Sequence, residues 1–216
     1  MNIVEIYQQY QIMPQLQLHQ LRVAAVAQML ARAIDKNLNQ EAIIKACLLH
    51  DMGNIIKFDL RAMALPHFLE PAGQEYWLKV QTEFLNKYGN DEHEATIQIA
   101  RELNVSKYVI ELIDSIGFNM LAKNYVAKDL AKMICEYADN RVAPLGIVSL
   151  EQRLHDLEKR YAHKFPAPAE TKFRQQAQEI ARLSEQYLFS LTHIKPSEIT
   201  DEALDDTISK LRDFSI

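Results

Sequence analysis

Ala46-Cys47-Leu48-Leu49-His50-Asp51-Met52-Gly53-Asn54 ends an apolar helical run on an imidazole and a carboxylate side by side. Ionisable groups in apolar surroundings are costly unless they are paired or bound. Adjacent His and Asp side chains can both reach one divalent cation. The same pair also reads as an ordinary helix terminus, with the imidazole favoured by the C-terminal dipole. The run before it is the inward face of a helix from Gln40 to about Asp51, presenting Ile43, Cys47 and His50. Asn37 and Asn39 are its candidate caps, and Gly53 lets the chain turn after it.

Working outward from that helix, the neighbours are helical too. About Gln15 to Ile34 places Leu16, His19, Val23, Val26, Leu30 and Ile34 in steps of three and four. The short connection to the Gln40 helix makes the two antiparallel neighbours, so His19 and His50 lie on facing surfaces. Residues 2–12 form a short helix ended by Pro14. Asn54 to Gly73 has no clean period and holds Pro66 and Pro71, which reads as an irregular loop with one short helix.

Further along, Gln74 to Tyr88 is helical, with Gly89 as its C-cap. Asp91 and Glu94 have capping-box spacing and open a helix to Leu103. Ser106 caps one through Ser115, stopped by Gly117. About Val126 to Val142 reads as one helix with Met133, Ile134 and Tyr137 inward, broken by Pro144 and Gly146. Ser149 with Gln152 opens a helix to about His163, and Phe165-Pro166-Ala167-Pro168 is a short linker. An amphipathic helix follows, about Ala169 to His193, and Thr200 or Asp201 caps a last one after Pro196. The fold class is all-α. Residues 1–163 form a metal-binding helical domain, and 164–216 a helical C-terminal extension. The apolar stripe of that extension, with Phe173, Ala177, Ile180, Tyr187, Leu188 and Leu191, packs on the core or on a partner subunit in a homodimer.

Composition narrows the function classes. The chain has 216 residues, 48% hydrophobic and 25% charged, with a formal net charge of -5, which argues against a stable nucleic-acid complex. Cys47 and Cys135 both lie in apolar helical stretches, so no disulfide framework is expected. The five glycines are too dispersed for a phosphate-cradling loop, which excludes the P-loop and the dinucleotide-binding fingerprint. The N-terminal residues lack a signal-peptide pattern, and no apolar stretch reaches bilayer-spanning length. A soluble, cytoplasmic protein with no membrane association is expected.

Asp139, in Tyr137-Ala138-Asp139-Asn140-Arg141, lies late in a helix whose apolar positions face the same core as His19 and His50. His19, His50, Asp51 and Asp139 make a mixed nitrogen and oxygen set. That set suits one divalent transition ion such as Mn, Fe, Co, Ni or Zn. Periodicity alone leaves open whether the four act together or each has a local structural role.

Taken together, these residues resemble the HD-domain superfamily of metal-dependent phosphohydrolases. Its pattern is a helical His, a His-Asp pair, then a distant Asp. Here these are His19 in Leu18-His19-Gln20-Leu21-Arg22-Val23-Ala24, His50-Asp51-Met52-Gly53, and Asp139. The separations, 31 residues from His19 to His50 and 88 from Asp51 to Asp139, are ordinary for the family. The resemblance covers about residues 15–160 and implies an HD-domain-like helical bundle. It implies hydrolysis of a small phosphorylated substrate, commonly a nucleotide, by metal-activated water. Asp51 would stand between metal and attacking water. Arg22, one turn after His19, would meet the phosphate.

The chain departs from the family pattern in two places. Asn54 stands where many members carry Lys; Lys57 would supply that charge and Asp59 is the nearest downstream acid. Branches with two metals carry further histidines. His93 resembles the first, but the place of the second reads Ile116-Gly117-Phe118. The resemblance therefore implies one metal rather than a second, with His93 and Asn54 beside it or on the phosphate. The alternative is a non-catalytic ligand-binding or regulatory module on the same fold.

Overall fold

The computed structural model describes residues 1–34, 37–62, 66–161 and 167–216. His163 and the Phe165-Pro166 part of the expected linker, with the expected domain boundary between them, lie outside the described residues. Among the described residues there are eleven α-helices and one short antiparallel hairpin.

The helix that organises the rest is α2 (Pro14–Ala33), preceded by α1 (Ile3–Gln9). Pro14 is preset for the first helical position, and Asn2 with Glu5 closes a full capping box on α1. α2 is buried on nearly every side: Leu16, Gln20, Leu21, the run Val23–Ala27, Leu30 and Ala31 are all inside. The three alanines in that run, Ala24, Ala25 and Ala27, let neighbours approach closely. α3 (Gln40–Leu49), α8 (Leu130–Asp139) and α11 (Asp201–Leu211) all pack along it. Asn39 caps α3 through Ala42 N–H, and the Tyr7 hydroxyl from α1 donates to Leu48 C=O at 2.7 Å. That hydroxyl satisfies a carbonyl the helix end would otherwise leave unpaired.

After α3 the irregular stretch contains two 3₁₀ turns, Asn54–Lys57 and Pro66–Leu69. Then come α4 (Gln74–Tyr88), α5 (Glu92–Glu102) and α6 (Lys107–Ile113). Gly53 has an ordinary φ of -90°, so its lack of a side chain serves a purpose other than the expected turn. A Cβ there would collide with Glu92 O, and would meet Ala95 Cβ at 2.8 Å and Thr96 N at 2.9 Å. The glycine lets α5 lie directly against the chain that follows the His-Asp pair.

The single helix expected over Val126 to Val142 is two. α7 (Leu121–Ala127) ends at Lys128 in the left-handed region, φ 51°, and α8 starts afresh from Asp129, whose carboxylate caps Lys132 N–H. The ammonium of Lys128 sits over the rings of Tyr125 and Tyr187, 3.4 and 4.1 Å from their centroids, which offsets the backbone cost of that conformation. α8 stops at Asp139. Val142 and Ala143 form β1, paired antiparallel with Gly146 and Ile147 as β2, a hairpin the sequence reading did not anticipate.

α9 (Leu150–Tyr161) and α10 (Pro168–Ser190) follow. The stripe of α10 that goes inside is Ala177, Ala181, Ser184 and Leu188; Phe173 is half exposed. It rests on α7 and α8, so the extension docks on the core of its own chain. α11, capped by Thr200, lies against α2, and the chain ends pair, with Ile3 N–H donating to Phe214 C=O at 2.9 Å. No helix of the described residues is long and apolar enough to cross a membrane.

Candidate metal centre

His19 on α2, His50 at the end of α3 and Asp139 at the end of α8 converge. One ligand atom from each lies within 4.8 Å of the others. Asp139 Oδ1 is 3.1 Å from His19 Nε2 and 3.5 Å from His50 Nε2. Asp51 approaches from the same side, its Oδ2 at 3.5 Å from His19 Nε2 and 3.6 Å from His50 Nε2. The two imidazole centroids are 5.3 Å apart.

Local structure fixes each of these side chains. His50 Nδ1 lies 2.8 Å from Cys47 C=O, one turn back on α3. A carbonyl is only an acceptor, so Nδ1 carries the proton and Nε2 is turned toward the two carboxylates. Asp51 N–H donates to the buried Gln20 Oε1 at 3.3 Å, tying the His-Asp backbone to α2 one residue after His19. Gly53 N–H donates to Thr96 Oγ1 at 2.9 Å, which anchors the following turn to α5. Asn54 is buried, and its backbone N–H donates to Asp51 C=O.

The donor set fits a metal ion. Among the described residues, His50 Nε2 is buried with no hydrogen-bond partner. In the neutral imidazole it aims a lone pair at two carboxylates, which are acceptors as well. Such an arrangement is favourable only with a cation between the groups. A proton is one such cation. Burial works against a charged His50, and the negative charges of Asp51 and Asp139 outweigh it, lifting the imidazole to about 9. Asp139 shows the mirror effect: burial would raise its carboxyl, but His19 and His50 hold it well below the usual carboxylate range. A divalent ion would take the place of that proton.

The other expected site residues are placed differently. Arg22 donates from Nε to Asp201 Oδ1 at 2.7 Å. Lys57, partly exposed, pairs with Glu92 at 3.6 Å. Asp59 is exposed and accepts Arg61 N–H and Ala62 N–H in its own turn. His93 Nε2 meets Asp114 Oδ1 at 2.9 Å. Arg22, Lys57, Asp59 and His93 form no ion pair with the four central residues.

Three supporting residues had no clear signature in the sequence. Gln20 is one polar residue on a helix buried all round, so no apolar stripe set it apart. Arg141 is fully buried and donates to Val148 C=O, Tyr137 OH, Pro196 C=O and Ile199 C=O, locking the chain after Asp139 to the hairpin and the C-terminal segment. Glu136 is 2% exposed, with Asn124 Nδ2 donating to its Oε2 at 3.0 Å and its Oε1 buried without a partner.

The family model of the HD domain matches residues 17–143, more than half of the chain. The matched stretch contains His19, His50, Asp51 and Asp139 and ends inside the hairpin. No curated protein and no solved structure matches the chain.

Proposed function

The chain belongs to the HD-domain family, commonly phosphohydrolases, and we propose that it is a metal-dependent phosphatase or phosphodiesterase acting on a nucleotide or another small phosphate ester. The observation that carries this reading is the buried, partnerless Nε2 of His50 facing two carboxylates. His19, His50, Asp51 and Asp139 would hold one divalent transition ion, which when bound lowers the pKa of a coordinated water and polarises a phosphoryl oxygen.

Each side chain has a separate part. Cys47 C=O keeps the proton of His50 on Nδ1, so Nε2 is the donor atom. Asp139, kept ionised by the two imidazoles, brings negative charge to the same point. The side chain of His50 is 2% exposed. Solvent reaches both carboxylates, Asp51 at 20% and Asp139 at 26% exposed; Asp51 lies farther from the two imidazoles than Asp139 does and would accept a proton from an attacking water. Arg22 is the nearest cation in sequence to this cluster on α2 and would neutralise charge on the phosphoryl group.

Purified protein should carry about one equivalent of a divalent ion and hydrolyse at least one member of a phosphate-ester panel. Absence of both bound metal and turnover with Mn, Fe, Co, Ni or Zn would refute the reading. A second reading, a non-catalytic HD module, is supported by the paired state of Arg22 and Lys57 and by Asn54. It predicts phosphate binding by the metal-loaded chain with no turnover.

A further inference from the structure

Two arginines in this chain are tied into its interior in different ways. Arg141 uses all three of its nitrogens: Nε on Val148 C=O, Nη1 on Tyr137 OH, Nη2 on two further carbonyls. Four of its five N–H donors are engaged. Arg22 is held at one atom. Its Nε donates to Asp201 Oδ1, and among the described residues its Nη1 and Nη2 have no hydrogen-bond partner. The side chain is still only 16% exposed.

The seat of Asp201 explains why the contact is one-sided. A carboxylate usually takes a guanidinium with both oxygens. Here Oδ2 is diverted to Ile147 N–H at 2.7 Å. Gly146 makes that possible, since a Cβ on it would collide with Oδ2 while lying 3.9 Å from Arg22 Nη2. The carboxylate is thus fixed between α2 and the hairpin, one oxygen to each, and meets the guanidinium along its Nε edge. The Nη edge remains for another acceptor. Arg22 lies one helical turn beyond His19, and side chains at that spacing are neighbours on a helix surface.

We propose that Asp201 is a positioning residue that holds Arg22 by Nε so that its Nη edge meets the phosphoryl group of the substrate. The proposal rests on the phosphohydrolase reading for the identity of that group. It makes the first residue of α11, 179 residues from Arg22 in sequence and outside the matched stretch, part of the active centre. An arginine held in place before substrate arrives has less rotamer freedom to lose on binding. The adjacent negative charge opposes a phosphate dianion, so the sign of the net effect is itself a test.

The experiment measures inorganic phosphate binding to the metal-loaded full chain, together with KM and kcat for any hydrolysed ester. Variants are Arg22→Ala, Asp201→Asn, Gly146→Ala and the double Arg22→Ala/Asp201→Asn. Gly146→Ala displaces the carboxylate while leaving both charged residues in place, and it decides the matter if Asp201→Asn fails to fold. Arg22→Ala should weaken phosphate binding about tenfold, and Asp201→Asn and Gly146→Ala about fivefold, with metal content unchanged. The double variant should be no worse than Arg22→Ala, because the acid acts only through the arginine. KM should rise in the same order, with kcat less affected. Wild-type or tighter phosphate binding in Asp201→Asn and Gly146→Ala overturns the proposal, as does full additivity in the double variant. If the wild type binds phosphate but turns over no ester, the hydrolase reading fails while the binding series still judges Asp201. If it neither binds phosphate nor turns over an ester, both fall.

Discussion

Asp139 and Glu136 stand about one turn apart on α8, and their carboxyls are driven in opposite directions. Burial pushes Glu136 up to about 8, with a single amide hydrogen bond from Asn124 working against it. Burial acts on Asp139 too, yet the imidazoles of His19 and His50 overcome it and keep the carboxylate ionised. The difference is one of partners. An acid facing two imidazoles stays an anion, while an acid facing one amide becomes a neutral polar group at pH 7. Helix position and burial alone do not distinguish the two roles.

The largest effect expected from breaking this contrast is on the metal. Asp139→Asn keeps the shape and removes the charge, so bound divalent ion should fall by at least about a hundredfold in affinity, and phosphate-ester turnover with it. Glu136→Gln should leave metal content at the wild-type level. Elemental analysis of the two purified variants checks this. Metal retained in Asp139→Asn, or lost in Glu136→Gln, would mean that the charged cluster has been assigned to the wrong acid.

Arg141 extends the comparison to a buried cation held through each of its three nitrogens. Arg141→Met would strand the carbonyls of Val148, Pro196 and Ile199, and should cost roughly 3–5 kcal/mol in urea unfolding. The four candidate metal ligands would be untouched, so a folded variant should match the wild type in metal content. A loss below about 1 kcal/mol would show that water replaces the guanidinium at no great penalty.

pH separates the two carboxyls next. Glu136 has a folded value near 8 against an unfolded value of 4.5. Its contribution is fully present below 4.5 and is lost as pH rises through 8. His50, raised from 6.5 to about 9, contributes fully below 6.5 and loses it as pH rises through 9. Both slopes have the same sign, so the chelator-treated chain should lose stability between pH 6.5 and 9, by up to about 1.4 kcal/mol per pH unit for each group. If a metal ion displaces the His50 proton, stabilisation by added metal should grow over that range. Glu136→Gln should be close to neutral at pH 5 and stabilising by about 1–3 kcal/mol at pH 9. Melting curves across pH, with and without chelator, test both statements. A metal-free chain whose stability is flat from pH 6.5 to 9 would contradict them.

What the sequence discloses follows the range of the interactions involved. Local chemistry was legible: Gly73 and Gly89 bound α4, and Asn39, Ser106 and Thr200 each cap the expected helix. The break at Lys128 was not, because a lysine in the left-handed region carries no signal of its own and is supported by Tyr187 from α10. The candidate metal ligands were readable as a pattern of His, His-Asp and Asp, and the convergence of His19, His50 and Asp139 follows from α2, α3 and α8 sharing one core. Asp201 was legible as a helix start and nothing more. Its role depends on α11 folding back along α2, which no spacing in the chain encodes. Glu136 sat unnoticed among Met133, Ile134 and Tyr137, since a polar letter on a helix reads as solvent-facing until a second helix covers it.

The smallest predicted effect concerns His93, whose sequence context suggested a place beside the metal. Its imidazole is 40% exposed and meets Asp114 at 2.9 Å, a pair of the kind that contributes little to stability. Yet α5 is not remote from the centre, since Thr96, one turn later, holds Gly53 next to the His-Asp pair. His93→Ala should therefore change unfolding free energy by no more than about 0.5 kcal/mol and leave the metal content as it was. If turnover falls sharply while stability and metal content hold, His93 acts on the substrate and the centre is wider than its four ligands. If metal content falls instead, His93 and Asp114 belong to the ligand set, and the line drawn here between buried, convergent acids and exposed, locally paired ones has to be moved outward to include α5.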